Sequence, residues 1–312
     1  MKQLFYLPIW FLQTRILGVI KPLQSVIFIT DKCNLHCKHC CVHSAFNNIH
    51  KEPIINSYQE VKEKLEYCYQ LGSRFVDFEG GEPLLWKDES DPNDIKDINA
   101  LFRLARKIGF YSVTLTTNGQ YNFDNCEANS VWISMDGLGD YHDAIRGKGT
   151  FETILQNINS NPHPDLSINM VVNNLNYKSV TETIQFVQDH PKIKSISINF
   201  HTPFPGTDEL ILPIDIRKNI IDSVIEMKKN GYPIMNSITG LSLMKHNNFT
   251  KYCWVSNFVY ADGTKHNQCQ GHSLELCDKC GFCMAGEMFG VMNLKIDTIL
   301  SAVKLRLKTL FN

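Results

Sequence analysis

The chain has 312 residues, 43% hydrophobic and 20% charged, which suits a folded protein with one large domain and a small appendage. Its 31 basic and 32 acidic residues give a formal net charge of -1, so there is no overall basic field and no nucleic-acid partner is expected. The 11 cysteines crowd two regions of a chain too large to need a disulfide framework, which points to metal ligation. At the N-terminus, Leu4–Ile20 is apolar but broken by Pro8, Gln13, Thr14 and Arg15. It falls short of the ~20 apolar residues of a spanning helix. It also lacks the basic start and small-residue cleavage site of a signal peptide, so a cytoplasmic location is expected. Leu4, Leu7, Phe11, Leu12 and Ile16 fall at helical spacing beside Tyr6 and Trp10, which makes residues 1–24 an amphipathic extension.

From Ser25 onward, short apolar runs alternate with helical patterns. Strands are predicted at Ser25–Thr30, Phe75–Glu79, Ser112–Thr116, Val131–Met135, Leu166–Val172 and Ile196–Phe200. Helices are predicted at Tyr58–Leu71, Ile95–Ile108, Phe151–Ile158, Val180–Asp189 and Ile214–Asn230. Strands separated by helical crossovers imply an α/β fold with a parallel sheet and helices outside. Six units are too few for a closed eight-unit barrel, so the expectation over residues 25–230 is an open, partial (β/α)6 TIM-like barrel. Residues 231–290 are polar and Cys-rich, a small C-terminal domain. Residues 291–312 form a final amphipathic helix, with Ile296, Ile299, Leu300, Val303, Leu307 and Leu310 on one side and Lys304, Arg306 and Lys308 elsewhere.

The loop after the first strand reads Cys33-Asn-Leu-His-Cys37-Lys-His-Cys40. Three thiolates at C-x3-C-x2-C spacing can hold three irons of a [4Fe–4S] cube, leaving the fourth iron open to a ligand. A zinc site completed by His36 or His39 is the alternative, although zinc sites more commonly pair cysteines as C-x2-C. Cys41, Cys68 and Cys126 read as structural, small buried hydrophobes.

Placed after a first strand, this loop resembles the signature of the radical S-adenosylmethionine (SAM) superfamily. The resemblance implies that the open iron chelates the amino and carboxylate groups of SAM. An electron from the cluster, delivered by a flavodoxin- or ferredoxin-type reductant, then breaks the sulfonium bond to give methionine and a 5′-deoxyadenosyl radical. His39 stands where the family usually has an aromatic residue near adenine. Gly80-Gly81-Glu82-Pro83, ending the second strand, resembles the family's GGEP motif, whose backbone receives the SAM amino group; glycines there allow close main-chain approach. Thr117 and Asn118, ending the third strand, resemble a segment near the ribose and carboxylate. Ser134 and Asp136, ending the fourth, are the implied ribose contacts, and Arg146 resembles the arginine that pairs with the SAM carboxylate.

The C-terminal cysteines resemble the SPASM and twitch extensions of the same superfamily, which bind auxiliary clusters. Five cysteines are too few for the two clusters of a full SPASM domain, so one auxiliary [4Fe–4S] cluster is implied, with a zinc knuckle as the alternative. Cys253, Cys269, Cys277 and Cys280 are the implied ligands, with Cys283 as the rival for one position. His201, just past the sixth strand, lies where loops of a parallel barrel surround an active site. It is a candidate substrate contact or proton donor, a turn-bonding role being the alternative. The terminal helices are expected to pack on the barrel, as terminal helices usually do, and peripheral membrane contact is the alternative. With that contact a lipid substrate is attractive; without it a carbohydrate, small metabolite or peptide is.

Overall fold

The computed structural model describes residues 2–42 and 52–311, the side chains of residues 2–4 and 305–311 excepted. Six strands lie side by side in chain order and all parallel: β1 (Gln24–Phe28), β2 (Phe75–Glu79), β3 (Ser112–Thr117), β4 (Ser130–Ser134), β5 (Leu166–Val172) and β6 (Ile193–Phe200). Two further strands come from the Cys-rich region. β7 (Ser256–Val259) pairs parallel with the free edge of β1, and β8 (Lys265–His266) pairs antiparallel with β7. The sheet order is therefore β6-β5-β4-β3-β2-β1-β7-β8. The six expected strands are present within one or two residues, or three at the start of β6. The sequence pattern did not reveal β7 and β8, because four residues and two residues are too short for a period of two to register.

The strand-linking helices are α2 (Tyr58–Leu71), α3 (Ile98–Ile108), α4 (Asp140–Arg146), α5 (Thr150–Ser160), α6 (Val180–Asp189) and α7 (Ile214–Lys229), preceded by α1 (Lys2–Phe11). After them come α8 (Ile238–Met244), α9 (Gln270–Ser273), α10 (Met284–Met292) and α11 (Ile296–Phe311). Local chemistry sets the boundaries. Ser57 and Glu60 form a reciprocal capping box at the start of α2, and Gly72 ends it in the left-handed region at φ 113°. α3 starts three residues later than its apolar pattern suggests. The Asp97 carboxylate caps it, accepting from Asn99 and Ala100, while Lys96 is already bridged to Asp88.

Strands β2 to β6 each carry two chemistries, whereas Val26 and Phe28 of β1 turn from the main core into a second apolar cluster with Val42 and Tyr260. Val76 and Phe78, Val113 and Leu115, Val131 and Ile133, Ile168 and Met170, Ile196 and Ile198 pack outward into one apolar core beneath the helices. The alternate residues face the concave side in register: Asp77 beside Thr114, Thr116 beside Trp132, Ser134 beside Asn169, and Asn169 beside Ser197. A parallel sheet buried on both faces would be apolar throughout; this one has a polar lumen.

The N-terminal segment packs on the strand N-terminal end of the barrel. Tyr6 Oη donates to Gly72 O at 2.6 Å, just before β2, and Leu23 N–H donates to Val255 O at 2.8 Å, just before β7. Trp10 is buried against Val255 and Met292, with its Nε1 donating to Lys21 O. Tyr6 and Trp10 thus belong to the fold, as packing of the terminal helix on the barrel requires. Leu4, Leu307 and Leu310, expected on the two apolar faces, have side chains outside the described residues, as do Arg306 and Lys308. Among the described residues no helix is long and apolar enough to cross a membrane.

Candidate functional site

The C-terminal ends of β1 to β4 bring the first cysteine group and the downstream motifs together. Gly81 N–H donates to Thr30 O and Glu82 N–H to Lys32 O, both at 2.8 Å, so the Gly-Gly turn is laced to the strand leading into the cysteine loop. A Cβ on Gly80 would stand 2.5 Å from Thr30 O, and one on Gly81 2.3 Å from Lys32 O. The close approach that requires glycine is therefore made to the cysteine loop itself. The Glu82 carboxylate is fully buried and accepts from Thr117 Oγ1 at 2.8 Å, Asn118 N at 2.7 Å and Leu84 N at 3.0 Å. Burial pushes it up to about 7 against those three donors. Pro83 opens the short turn that follows. Asn118 closes the lacing, with Nδ2 donating to Asn34 Oδ1 at 2.9 Å and lying 3.8 Å from Cys33 Sγ.

A second group approaches from β4 and α4. Asp136 and Arg146 are buried, with Arg146 Nε donating to Asp136 Oδ2 at 2.7 Å. Val171 N–H donates to Asp136 Oδ1 at 2.8 Å, and His39 Nε2 stands 3.4 Å from Oδ2. Burial alone would raise the Asp136 carboxyl, but Arg146, His39 and the Val171 amide together hold it below its usual range. Burial pushes His39 down to about 4, so its ring is neutral at physiological pH. Arg146 reaches on with Nη1 to 3.8 Å from Cys37 Sγ. Lys38 N–H donates to Ile145 O at 3.0 Å, clamping the cysteine loop to α4. Asp136 and Arg146, implied to contact the cofactor separately, face one another here. Ser134 remains on the concave face.

Asn118 Nδ2 lies 3.8 Å from Cys33 Sγ, Arg146 Nη1 3.8 Å from Cys37 Sγ, and Cys40 N–H donates to Cys37 O at 3.1 Å, so one tight loop presents the three thiols to these side chains. Burial raises Cys37 to about 11, against the pull of Arg146. His39 Nδ1 is buried with no hydrogen-bond partner, an acceptor or donor site left for a polar ligand beside those thiols. The donor set and the orphaned nitrogen suit a cluster and a polar cofactor. Among the described residues no three His, Cys, Asp or Glu side chains stand ready to share one metal ion. A four-iron cube asks for a wider spacing, with each thiolate on its own iron.

The second group lies where the chain closes past β6. Cys253 and Cys269 hydrogen-bond to each other, which raises the first thiol and lowers the second to about 6, and the charges of Cys277 and Cys280 reach Cys253. Cys283 sits apart in the main apolar core at the start of α10, its N–H bonded to Asn199 Oδ1 at 3.0 Å. Burial raises its thiol strongly, and Arg217, Glu287 and Cys280 are the charges that act on it. No disulfide joins any of the eleven cysteines.

His201 is buried at the end of β6, and its Nε2 lies 2.9 Å from Thr207 Oγ1 and 3.2 Å from Thr207 O. That ring nitrogen is engaged in a turn, the alternative foreseen from sequence. Sequence reading passed over Asp77 and Glu79, a coupled carboxylate pair on the lumen face of β2 whose burial raises both groups. The i, i+2 spacing of two acids in an otherwise apolar strand was the available signal. Arg217 was also missed; its Nη2 donates to Cys280 O at 3.1 Å and its guanidinium covers the Phe200 ring. It comes from α7, whose sequence offers no motif.

Comparison with known proteins agrees with this geometry. The profile of the Radical SAM superfamily matches residues 27–187. The chain belongs to that superfamily, and a [4Fe–4S] cluster and SAM are the cofactors that membership implies. It is 27% identical over 219 residues to a GTP 3′,8-cyclase of Listeria welshimeri, covering 64% of this chain and 61% of that protein. It is 27% identical over 169 residues to the mycofactocin maturase MftC of Mycolicibacterium smegmatis, covering 53% of this chain and 41% of the relative. The chain thus spans less than two-thirds of the length of these curated relatives. In fold it resembles SuiB of Streptococcus suis bound to its precursor peptide SuiA, with TM-score 0.59 and 15% identity over 80% of this chain and 60% of that one. It also resembles anSMEcpe with bound AdoMet, with TM-score 0.58 and 18% identity over 80% of this chain and 75% of that one.

Proposed function

We propose that the protein reductively cleaves SAM at a cluster held by Cys33, Cys37 and Cys40, and directs the resulting radical at a polar substrate in the barrel lumen. The observation that carries this reading is the convergence of those thiols with His39, Asp136 and Arg146 at one rim of a polar lumen. A cluster bound there supplies the electron that breaks the sulfonium bond. Arg146 holds positive charge beside Cys37, suited to a carboxylate ligand. Asp136 fixes the guanidinium, and neutral His39 leaves Nδ1 free for a hydrogen bond.

The lumen narrows the substrate. Asp77, Glu79, Thr114, Thr116, Ser134, Asn169 and Asn199 line it, a surface for a ligand rich in hydrogen-bond donors. A lipid tail would leave the unpartnered Asp77 Oδ1 facing hydrocarbon. A peptide side chain or a polar small metabolite suits them best, and the peptide bound by SuiB is an instance of that class on a similar fold.

The second thiol group is the site of one auxiliary cluster held by Cys253, Cys269, Cys277 and Cys280, a twitch-type arrangement, with Arg217 supplying positive charge beside it. Four protein ligands leave no open iron, which suits electron transfer better than substrate binding.

The deciding experiment is anaerobic reconstitution followed by addition of dithionite and SAM. Release of 5′-deoxyadenosine, abolished by Cys37→Ala, is the expected result. A protein that holds only zinc and leaves SAM intact refutes the reading.

A further inference from the structure

We propose that the two ends of the chain form one pad that docks on an anionic lipid bilayer surface, with the radical site facing away from the membrane. The ends meet in space. Arg15 Nε donates to Met292 O at 2.8 Å, joining the turn after α1 to the C-terminal end of α10. Trp10, Val255 and Met292 form a small buried cluster beneath that junction, so the pad rests on a packed base.

Above the base both ends present large apolar side chains to solvent. Phe5 is 71% exposed, Ile16 67% and Ile20 75% from one end; Leu294 is 62%, Ile296 74% and Leu300 62% from the other. Scattered exposed hydrophobics are ordinary, but a concentration on two adjoining segments marks an interaction surface.

Charge selects the occupant. Residues 1–23 carry Lys2, Arg15 and Lys21 and no acid, and residues 291–312 carry Lys295, Lys304, Arg306 and Lys308 against Asp297 alone. Asp297 is engaged within the fold, accepting from Thr239 N and Oγ1 at 2.8 Å. The ends therefore carry +6 in a chain whose net charge is -1, leaving -7 on the remainder. A second copy would bring an identical basic pad face to face with this one, which like charges oppose. An anionic bilayer satisfies both the apolar side chains and the positive charge.

The pad adjoins the N-terminal ends of β2 and β7, through the Tyr6–Gly72 and Leu23–Val255 bonds, whereas the cysteine loop follows the C-terminal end of β1. A five-residue strand separates the two ends by about 17 Å. Docking therefore tethers the enzyme and leaves the lumen open to a polar substrate from the aqueous side.

The test is flotation of the anaerobically reconstituted full chain with vesicles of phosphatidylcholine containing about a third phosphatidylglycerol. The protein floats with these vesicles at low salt, and at least about tenfold less with pure phosphatidylcholine or in ~0.5 M salt. Ile16→Asp with Leu300→Asp abolishes flotation while the circular dichroism melt and SAM cleavage stay unchanged, since both side chains are exposed. Lys304→Glu weakens binding to anionic vesicles by at least roughly fivefold. Full chain that stays in solution at low salt, or that floats equally with neutral vesicles, overturns the proposal. So does a lipid-free dimer that the Asp pair dissociates.

Discussion

Arg146 Nε donates to Asp136 Oδ2 at 2.7 Å with both side chains buried, and the same guanidinium lies 3.8 Å from the Cys37 thiol. The pair ties the end of β4 to the end of α4 directly beneath the cysteine loop. Burying two charges is offset only while both are present. Asp136→Asn strands the guanidinium and is expected to cost about 3 kcal/mol in urea unfolding at neutral pH. Arg146→Lys keeps the charge but loses the planar fork, so SAM affinity falls at least about tenfold with a smaller stability loss. Equal SAM affinity in the Lys variant would show that Arg146 serves the fold alone.

Glu82 gives a pH signature. Its folded-state carboxyl is raised to about 7 by burial from an ordinary value of 4.5, so the folded state binds the proton more tightly than the unfolded one. The stability it contributes is full below about 4.5 and is lost as pH rises toward 7, by up to about 3 kcal/mol. Glu82→Gln removes that slope. Chemical denaturation of both proteins across this window is the measurement, and parallel curves would show that its three donors keep the carboxylate ionised throughout.

The proposed auxiliary site separates Cys283 from its four neighbours. Cys277→Ser is expected to lower iron from about eight to about four atoms per chain. Cys283→Ser retains about eight, and its cost appears as lost stability of about 1–2 kcal/mol, because a hydroxyl replaces a thiol packed in the apolar core. Iron analysis of the two variants side by side decides the matter. Loss of a cluster from the Cys283 variant alone would exchange the two assignments.

The parts of this architecture written as local pattern were legible in the sequence. Val113 and Leu115, or Ile168 and Met170, announce a strand because side-chain direction alternates along any extended chain. The grouping of Cys33, Cys37 and Cys40 was legible because the three thiols lie on one short loop. Relations between distant segments were not legible. Nothing in residues 253–259 shows that β7 adds to the edge of β1, since that register depends on Leu23 meeting Val255 across the fold. The Asp136–Arg146 pair was likewise read as two separate ligand contacts, because a sequence shows what a carboxylate and a guanidinium can bind but not which partner is nearer. The partner of Trp10 was not legible for the same reason, its burial being decided by Met292 far along the chain.

Asp77 and Glu79 offer the last test, one that separates a substrate-facing pair from a structural one. Both carboxyls face the lumen, Thr116 Oγ1 donates to Asp77 Oδ2 at 3.0 Å, and burial together with their mutual repulsion raises Glu79 well above its ordinary range. The folded state therefore favours their protonated forms. The stability they contribute is present at acid pH and is lost as pH rises through the raised folded-state values. Groups retained for function at a cost in stability behave in this way. Glu79→Gln is expected to raise the melting temperature at pH 8, by roughly 2–4 °C per kcal/mol of relieved strain. Near pH 4.5 the two proteins should melt together. Substrate-free SAM cleavage should persist in the variant, because the carboxylate touches neither Arg146 nor the first cysteine triad. A variant that melts lower at pH 8 would show that Glu79 holds the sheet together through its bond to Asp77, and the lumen would lose its strongest claim to a donor-rich substrate.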